Sequence, residues 1–361
     1  MQSTVTLYPG DNRISLQRLI DDGVRVHSVV TDPPYGLVSI EKRFGKKGAA
    51  AARTEGNDGS FARLSAGFMG RTWDGTGIER DPEFWRLIHD ILLPGGFCFA
   101  FSGARTGHWQ ACAMEAAGFI MHPFHVWAYG SGLPKAKDVE KELVKAGFTD
   151  EELLAEWAGW KFGTQSQKPA VEPIYLAQRP ISEKTYIANI KKHGVGAVNI
   201  DACRVPLDSD TKAVVRAEGR HPANLILDGS PEVVTMFPDS GSAARFFHQF
   251  TPDADPLFYH PKAGKLDRAG SKHPTVKPIA LMQYLIRHIT PPGGIVLDPF
   301  AGSGTTAEAA RREGFDVILM EAEQEYVDFL NQRFNLGQAE RSDSLTDLTD
   351  LLDNVTNDLL V

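Results

Sequence analysis

The sequence predicts an α/β fold, a doubly wound sheet whose two sequence halves are separated by one long insertion. Strand and helix patterns alternate up to about residue 130, lose their periodicity, and return from about residue 271 to 336. Such alternation is typical of a parallel sheet covered by helices. The chain has 361 residues, 42% of them hydrophobic, which is enough to bury the core of such a sheet.

The first half, residues 1–130, contains an apolar strand from Val24 to Val30. It ends at Asp32-Pro33-Pro34-Tyr35, where two prolines stop the strand and force a tight loop. The stretch from Lys42 to Arg71 has no clear period and is expected to be a long loop, followed by Trp73-Asp74. Helices are predicted over 82–93 and 109–117, with Pro94-Gly95-Gly96 closing the first, and strands over 97–101 and 120–128.

The second half, residues 271–336, again alternates helix and strand patterns. Helices are predicted over 278–289, 304–314 and 324–334, and strands over 294–297 and 316–320. Between the halves, residues 131–270 have weak periodicity, with helical character only over 138–160, and residues 337–361 form an acidic tail. We therefore expect two halves of one domain, an inserted region and a tail.

The charge is unevenly distributed along the chain. Its formal net charge is −8 at pH 7, yet residues 338–361 alone hold six acidic residues and one basic residue. Residues 131–280 hold 20 Lys and Arg against 19 Asp and Glu, which makes this the least acidic part. A difference of one charge is not by itself a signal of DNA binding, which depends on clustered Lys and Arg.

The chain lacks the patterns of export, membrane insertion or metal binding. No early segment combines a basic start, an apolar run and a cleavage site, and no apolar run approaches the ~20 residues of a membrane helix. Cys98, Cys112 and Cys203 are far apart and form no C-x-x-C or Pro-Cys pair. We expect a cytoplasmic protein without a disulfide framework, a metal site or a cysteine nucleophile.

A glycine-rich turn follows the predicted strand at 294–297. In Asp298-Pro-Phe-Ala-Gly302-Ser-Gly304-Thr-Thr306 the glycines allow a tight turn and the close approach of a ligand to the backbone. Glu321 ends the next strand, seventeen residues after Gly304, where its carboxylate can accept both hydroxyls of a ribose. This pattern alone is compatible with a dinucleotide-dependent oxidoreductase, and no Gly-Lys-Ser/Thr follows to make a phosphate-binding P-loop.

The tetrapeptide at Asp32 indicates a more specific chemistry. An amino group on a nucleobase is a poor nucleophile because its lone pair is delocalised into the ring. If the Asp32 carboxylate and the Pro33 carbonyl each accept one of its N–H bonds, the nitrogen is held in place and its lone pair is localised. Pro34 makes the loop rigid, and Tyr35 offers a flat face on which an extruded base can stack.

Together these motifs resemble the amino-methylating (N6-adenine/N4-cytosine) DNA methyltransferases. The order of catalytic tetrapeptide, insertion and glycine turn is similar to the beta group of that family, and His273-Pro-Thr-Val-Lys277-Pro278 resembles the segment that begins its cofactor site. The resemblance covers about residues 5–130 and 270–335. It implies a Rossmann-like methyltransferase sheet with a circularly permuted motif order, and Asp32, Pro33, Pro34 and Tyr35 as catalytic residues.

The resemblance also implies S-adenosylmethionine as the cofactor. Glu321 would bind its ribose and Asp298 its amino-acid end, and Asp11 resembles the acid that meets its adenine, although a helix cap explains Asp11 equally well. The full set of implied cofactor residues is Asp11, Thr275, Lys277, Asp298, Phe300, Gly302, Gly304, Thr305 and Glu321.

The partner implied by the resemblance is double-stranded DNA, contacted by the target-recognition insertion. Basic residues of that insertion are candidates for DNA contacts: Lys135, Lys137, Lys168, Lys191, Lys192 and Arg220. The resemblance is also compatible with a homodimer and with a restriction endonuclease encoded separately.

Several functions stay open at this point. Adenine N6 is favoured over cytosine N4 because cytosine enzymes of the family more often have Ser in place of Asp32. An oxidoreductase would leave Asp32 to Tyr35 without a role, and a non-catalytic DNA-binding relative should have damaged motifs. Enzymes that methylate RNA or a protein glutamine usually place the glycine turn before the tetrapeptide, the reverse of this order.

Overall fold

The predicted α/β architecture is confirmed by the computed structural model. It describes residues 3–36, 76–206, 219–237, 242–249, 265–271 and 276–336. The expected loop at 42–71, Trp73-Asp74, Thr275 and the acidic tail lie outside the described residues. Within the described ranges, no helix is long and apolar enough to cross a membrane, and no cluster of three or more His, Cys, Asp or Glu is arranged to hold a metal ion.

Strands and helices alternate through the first half of the chain. The elements are β1 (Val5–Pro9), α1 (Asn12–Asp21), β2 (Val26–Thr31), α2 (Pro82–Ile91), β3 (Leu92–Phe101), α3 (Gly107–Ala116), β4 (Ile120–Met121) and β5 (His125–Ala128). The middle of the chain contains β6 (Lys135–Asp138), α4 (Val139–Lys145), α5 (Glu151–Glu156), β7 (Lys161–Gln165), β8 (Val171–Gln178), α6 (Tyr186–His193), β9 (Leu225–Leu227), α7 (Pro231–Val234), β10 (His248–Gln249) and α8 (Lys265–Arg268).

The second half of the chain completes the fold with α9 (Ile279–Ile289), β11 (Ile295–Asp298), α10 (Thr305–Glu313), β12 (Asp316–Glu321) and α11 (Gln324–Phe334). Among the described residues, one ten-stranded sheet has the order β1-β12-β11-β2-β3-β8-β5-β9-β10, with β4 beside β8. The first five of these strands are parallel, and β8 runs antiparallel to both of its neighbours, β3 and β5.

Both faces of the sheet are covered, which explains why its strands are almost continuously apolar. Successive residues of β3 point to opposite faces: Phe99 and Phe101 pack in one buried cluster, and Cys98 and Ala100 in the other. Residues of α9 and α10 complete the first cluster, and residues of α1, α2 and α3 complete the second. The core is therefore split by the sheet into two apolar layers.

Two predicted element boundaries were wrong for local reasons. Pro94-Gly95-Gly96 lies inside β3 and does not precede it, because β3 bulges there: the pairing register with β2 shifts between Val26 and Ser28. A Cβ on Gly96 would lie 2.9 Å from the His27 carbonyl, so the bulge needs a glycine at that point. The single strand predicted over 120–128 is two strands, β4 and β5, separated by a segment that contains Pro123.

The region 131–270 also differs from the expected insertion. Three of its strands, β8, β9 and β10, belong to the central sheet, and β8 lies in the middle of it. The sequence did not reveal these strands for two reasons. The periodicity of the region is weak, and β8 pairs with strands that are distant in sequence. Among the described residues of this region, β6, α4, α5 and β7 form a unit built on a separate two-stranded sheet.

Candidate active site

The carboxyl ends of the parallel strands meet at one edge of the sheet, where binding sites of open α/β sheets form. A cavity of about 750 Å³ opens there. Its walls include most of the residues singled out from the sequence, namely Asp11, Asp32, Pro33, Pro34, Tyr35, Lys135, Lys277, Asp298, Phe300, Gly302, Thr305 and Glu321. The two sequence motifs therefore come together in one cavity.

The glycine turn between β11 and α10 is organised by Asp298. The Thr31 hydroxyl donates to its Oδ1 at 2.7 Å, and the Thr306 hydroxyl donates to its Oδ2 at 2.5 Å. Burial raises the pKa of Asp298 to about 6, despite these hydrogen bonds and one from the Phe300 amide. Because both oxygens already accept hydrogen bonds, the direct role of Asp298 is to connect β2, β11 and α10. A contact with the cofactor's amino-acid end stays a prediction.

Gly302 and Gly304 have the left-handed conformations that the turn requires, with φ of 51° and 78°. A Cβ on Gly304 would lie 2.5 Å from Leu330 Cδ2, so the chain passes too close to α11 for a side chain there. The Gly302 amide donates a hydrogen bond to Glu321 Oε2 at 2.8 Å. Thr305 begins α10 with its hydroxyl 3.2 Å from that of Ser303.

Glu321 ends β12 and lies beside the glycine turn in the cavity wall. Its two oxygens accept hydrogen bonds from the Gly302 and Glu323 amides, both at 2.8 Å. Burial nevertheless raises the pKa of this carboxyl to about 7. A half-buried carboxylate with remaining acceptor capacity is suited to bind neighbouring hydroxyls.

Asp11 and Phe300 occupy the same wall. Asp11 is the N-cap of α1, and its Oδ1 accepts from the Arg13 amide at 2.8 Å, as the helix-cap interpretation predicted. It also lines the cavity, so the cap leaves its cofactor contact a prediction. The Phe300 ring packs against Phe84 with centroids 5.3 Å apart. That contact fixes one apolar side of the cavity.

Asp32 also lines the cavity, and it follows the last residue of β2. Its Oδ2 accepts a hydrogen bond from the Lys277 ammonium group. Its Oδ1 is buried and has no hydrogen-bond partner among the described residues. A buried acceptor without a donor is energetically costly, which indicates a group that a ligand satisfies.

Both the backbone and the side chain of Tyr35 are held in position. The Tyr35 carbonyl accepts a hydrogen bond from the Thr106 hydroxyl at 2.6 Å. Gly103 also packs closely against Tyr35, because a Cβ added at Gly103 would lie 3.3 Å from the Cβ of Tyr35. Its phenol donates to Glu172 Oε2 at 3.0 Å and accepts from Lys277 at 3.1 Å. The ring is therefore held at the cavity wall before any ligand arrives.

The structure gives Lys277 three polar contacts and adds Glu172 to the site. The ammonium group of Lys277 contacts Asp32, Tyr35 and Glu172, and the cofactor contact that the sequence predicted for Lys277 stays a prediction. Glu172 was missed because it lies in the region without periodicity. The only signal was a carboxylate at the start of an otherwise apolar segment, Val171 to Ala177.

The candidate DNA-contacting residues are spread over different parts of the surface. Lys135 is exposed at the mouth of the cavity, and Lys168 precedes Pro169, which also lines it. Lys137 forms an ion pair of 2.8 Å with Glu142 on the β6–α4 unit. Arg220 lies over the Phe246 ring at 4.8 Å and does not line the cavity.

Lys191 and Lys192 lie at the opposite edge of the sheet. Their helix, α6, is attached to the first part of β3, because Asn189 donates to the Pro94 carbonyl at 2.8 Å. The cavity forms beyond the other end of β3, after Phe101. The structure therefore does not bring these two lysines together with the site.

The chain is similar in sequence to two Type II methyltransferases. Over 322 residues the chain is 24% identical to the Type II methyltransferase M.HindIII of Haemophilus influenzae, covering 84% of this chain and 87% of that protein. A shorter stretch of 69 residues is 42% identical to the Type II methyltransferase M2.DpnII of Streptococcus pneumoniae, 19% of this chain and 26% of that protein.

Among solved structures, the M1.HpyAVI–SAM complex matches with a TM-score of 0.46 and 18% identity, covering 91% of this chain and all of that one. The PvuII DNA methyltransferase, described as cytosine-N4-specific, matches with a TM-score of 0.47 and 18% identity over 99% of this chain and 94% of that one. The model of the N6/N4 DNA methylase family matches residues 26–332, which include the tetrapeptide, the glycine turn and Glu321. The chain therefore belongs to the N6/N4 family of DNA methylases.

Proposed function

We propose that this DNA methylase transfers a methyl group from S-adenosylmethionine to adenine N6 of a base flipped out of double-stranded DNA. Asp32 is a residue of the cavity lining, and the observation that carries the proposal is its buried Oδ1, which has no hydrogen-bond partner among the described residues. An amino group that donates to this oxygen would satisfy it. The family membership supplies the reaction class, and the proposal concerns the base and the roles of the residues.

The residues present fit the cofactor. Glu321 would accept hydrogen bonds from the ribose hydroxyls, and Phe300 would form an apolar wall beside it. Gly302 and Gly304 leave the turn without side chains, so the backbone can approach a ligand closely. When bound, S-adenosylmethionine supplies an electrophilic methyl group on a positively charged sulfur.

The tetrapeptide would orient the target nitrogen. Asp32 Oδ1 and the Pro33 carbonyl would each accept one N–H of the amino group, which localises the lone pair on nitrogen. The Lys277 ammonium group, which donates to the other oxygen, holds the carboxylate in position. Tyr35 would stack on the flipped base, and this contact offsets part of the few kcal/mol that flipping costs. Catalysis here is positioning and electrostatics, without a covalent enzyme intermediate.

Adenine is favoured because position 32 is Asp and not the Ser that cytosine enzymes of the family more often have. Cytosine N4 is the alternative target, and the same geometry would serve it. The oxidoreductase alternative gives no role to Asp32 and Tyr35. Because the chain belongs to a DNA methylase family, we no longer propose that alternative.

Double-stranded DNA would approach the cavity edge from the side of Lys135 and Lys168. Both curated relatives are named Type II methyltransferases. We therefore extend the proposal to a site-specific enzyme of a restriction–modification pair, with its endonuclease encoded separately. Genes adjacent to the one encoding this chain would identify that partner. Sedimentation of the protein with and without DNA would test the homodimer.

The test of the target base is direct. The full chain is incubated with unmethylated DNA of broad sequence content and methyl-labelled S-adenosylmethionine, and the digested nucleosides are analysed by mass spectrometry. Labelled N6-methyladenine is expected. Labelled N4-methylcytosine would move the target to the alternative base. Cofactor binding without any labelled base would overturn the DNA assignment.

A further inference from the structure

Glu172 is a buried carboxylate at the active site to which the sequence motifs assign no role. It lies at the start of β8 and is 3% exposed. Because β8 runs antiparallel to β3, its amino end reaches the edge of the sheet where the parallel strands have their carboxyl ends. The sheet topology thus brings Glu172 opposite Asp32, across the Lys277 side chain.

The contacts of Glu172 connect two residues that would act on the base. Its Oε2 accepts from the Tyr35 hydroxyl at 3.0 Å and lies 3.6 Å from Lys277 Nζ. Lys277 in turn donates to Asp32 and to the Tyr35 hydroxyl. The Lys277 side chain is 5% exposed, and its ammonium nitrogen lies 4.8 Å from the centroid of the Phe101 ring. The four polar groups therefore form one connected network against an apolar surface.

The formal charge of this network has a consequence for the reaction. Among the described residues, two carboxylates, Asp32 and Glu172, contact the same ammonium group, that of Lys277. As the target nitrogen takes up a methyl group it becomes positively charged, and negative groups already fixed nearby stabilise that charge. Water is largely excluded from this network, so its electrostatic effect is screened less than on the surface.

We propose that Glu172 is a positioning residue for methyl transfer, one that acts through Tyr35 and Lys277. It holds the Tyr35 ring in place by accepting a hydrogen bond from its hydroxyl, and it keeps Lys277 on Asp32 Oδ2, which leaves Oδ1 for the base. This inference rests on the proposed function, because it assumes an amino nitrogen beside Asp32. It holds for adenine N6 and for cytosine N4.

The experiment compares the full-length wild-type protein with Glu172→Gln. The matched control is Glu313→Gln, because Glu313 is also a largely buried carboxylate in an ion pair, with Arg287 at 2.5 Å, and lies outside the cavity lining. The single-turnover rate of methyl transfer is measured at saturating DNA, with the Kd of S-adenosylmethionine and the thermal midpoint measured separately. The rate of Glu172→Gln is expected to fall at least tenfold, with the cofactor Kd within threefold of wild type.

A second variant keeps the test valid if Glu172→Gln does not fold. Tyr35→Phe removes only the hydroxyl that donates a hydrogen bond to Glu172. The rate of methyl transfer by this variant is expected to fall severalfold while cofactor binding is retained. Where both single variants fold, the double variant Glu172→Gln/Tyr35→Phe should lose less than the product of the two single losses, because both act on one hydrogen bond.

The outcomes separate this inference from the proposed function. Wild-type protein that methylates no DNA overturns the proposed function and this inference with it. Wild-type protein that is active while Glu172→Gln and Tyr35→Phe retain the full rate overturns the role of Glu172 alone. A loss in Glu313→Gln equal to that in Glu172→Gln would make the effect a general one of stability and would also overturn it.

Discussion

Lys277 donates a hydrogen bond to Asp32 although 245 positions separate the two residues in the chain. Asp32 follows the strand β2, and Lys277 precedes the helix α9, so the contact joins the two sequence halves of the domain at the cavity. Lys277 satisfies one carboxylate oxygen, and the other is buried without a partner among the described residues. In the proposed function, this division gives Asp32 one acceptor that is used in the structure and one that is free for the target amino group.

Asp32→Ala should abolish methyl transfer while leaving cofactor binding within several-fold of wild type. The substitution removes the acceptor that orients the amino group, and Glu321 and the glycine turn stay intact. The measurement is label transfer to DNA, with cofactor binding followed by calorimetry on the same preparation. Full activity of the variant would contradict the assigned role.

Glu321 should make cofactor binding depend on pH. Because its pKa is raised to about 7, the carboxyl holds a proton below that pH and must release it before it can accept both ribose hydroxyls. Affinity for S-adenosylmethionine should therefore rise between pH 6 and 8, by up to about tenfold per pH unit below the pKa.

The control for that prediction is Glu321→Gln, which cannot ionise. It should bind more weakly and show a flatter pH profile, and any slope that it retains would come from other groups such as Asp298. The raised pKa of Glu321 also makes the free energy of unfolding depend on pH. The stabilisation from Glu321 is complete below the pKa of this carboxyl in the unfolded chain, and it is lost as the pH rises toward 7. Identical pH profiles for the two proteins would exclude the ribose role.

Lys135→Ala should weaken DNA binding and reduce its dependence on salt, because Lys135 is exposed at the mouth of the cavity. A lost phosphate contact lowers the slope of log affinity against log salt by about one. The comparison variant is Lys191→Ala on α6, at the far edge of the sheet, which should bind DNA as the wild type does. Titrations at several salt concentrations would show an unexpected DNA path if Lys191→Ala were the weaker binder.

Gly304→Ala should destabilise the protein more than Gly314→Ala. Both glycines have left-handed conformations, with φ of 78° and 80°, so both variants carry the strain of a side chain there, about 1 kcal/mol. Only at Gly304 would the new Cβ also meet Leu330 and Phe334, within 2.6 Å, whereas Gly314 has open space. Urea unfolding of the two variants measures the difference, and equal losses would show that the turn can move away from α11.

His27→Asn should reduce the sensitivity of the fold to acid. Burial lowers the pKa of His27 to about 4, and its Nδ1 accepts a hydrogen bond from the Ile295 amide at 2.9 Å. The unfolded chain binds this proton at a pH near 6.5, so the stability from His27 is present above that pH and is lost as the pH falls toward 4. The maximum loss is about 3 kcal/mol.

An asparagine at position 27 offers an acceptor that does not titrate. The free energy of unfolding should therefore fall less between pH 7 and pH 5 in the variant than in the wild type. His125 and His288, whose pKa values burial also lowers to about 4, are common to both proteins and cancel in the comparison. Parallel losses in the two proteins would contradict the prediction.

The sequence predicted the parts of the site that are local in the chain. Asp32 to Tyr35 and the turn from Asp298 to Thr306 each join a strand to the next segment, and their prolines and glycines specify those loops directly. Their meeting follows from the rule that parallel strands have their carboxyl ends at one edge. The α/β periodicity was sufficient to place both motifs on such strands.

The rest depends on contacts between distant residues. Nothing near Glu172 in the sequence shows that β8 pairs with β3, a contact between residues such as Ile174 and Phe101. The role of Lys277 was assigned incompletely for the same reason, because its partners are in β8 and after β2. The Pro94-Gly95-Gly96 bulge was taken for a loop since the same residues end strands elsewhere, and only the pairing with β2 distinguishes the two.

The position of β8 limits how this enzyme could be given a new sequence specificity. A chimaera that exchanged the whole region 131–270 would remove the strand between β3 and β5, expose the edges of both, and delete Glu172. The segment from β6 to β7, residues 135–165, has its own two-stranded sheet. Exchange of that segment leaves the central sheet intact, so under the proposed function it is the unit to exchange between relatives in a test of sequence recognition.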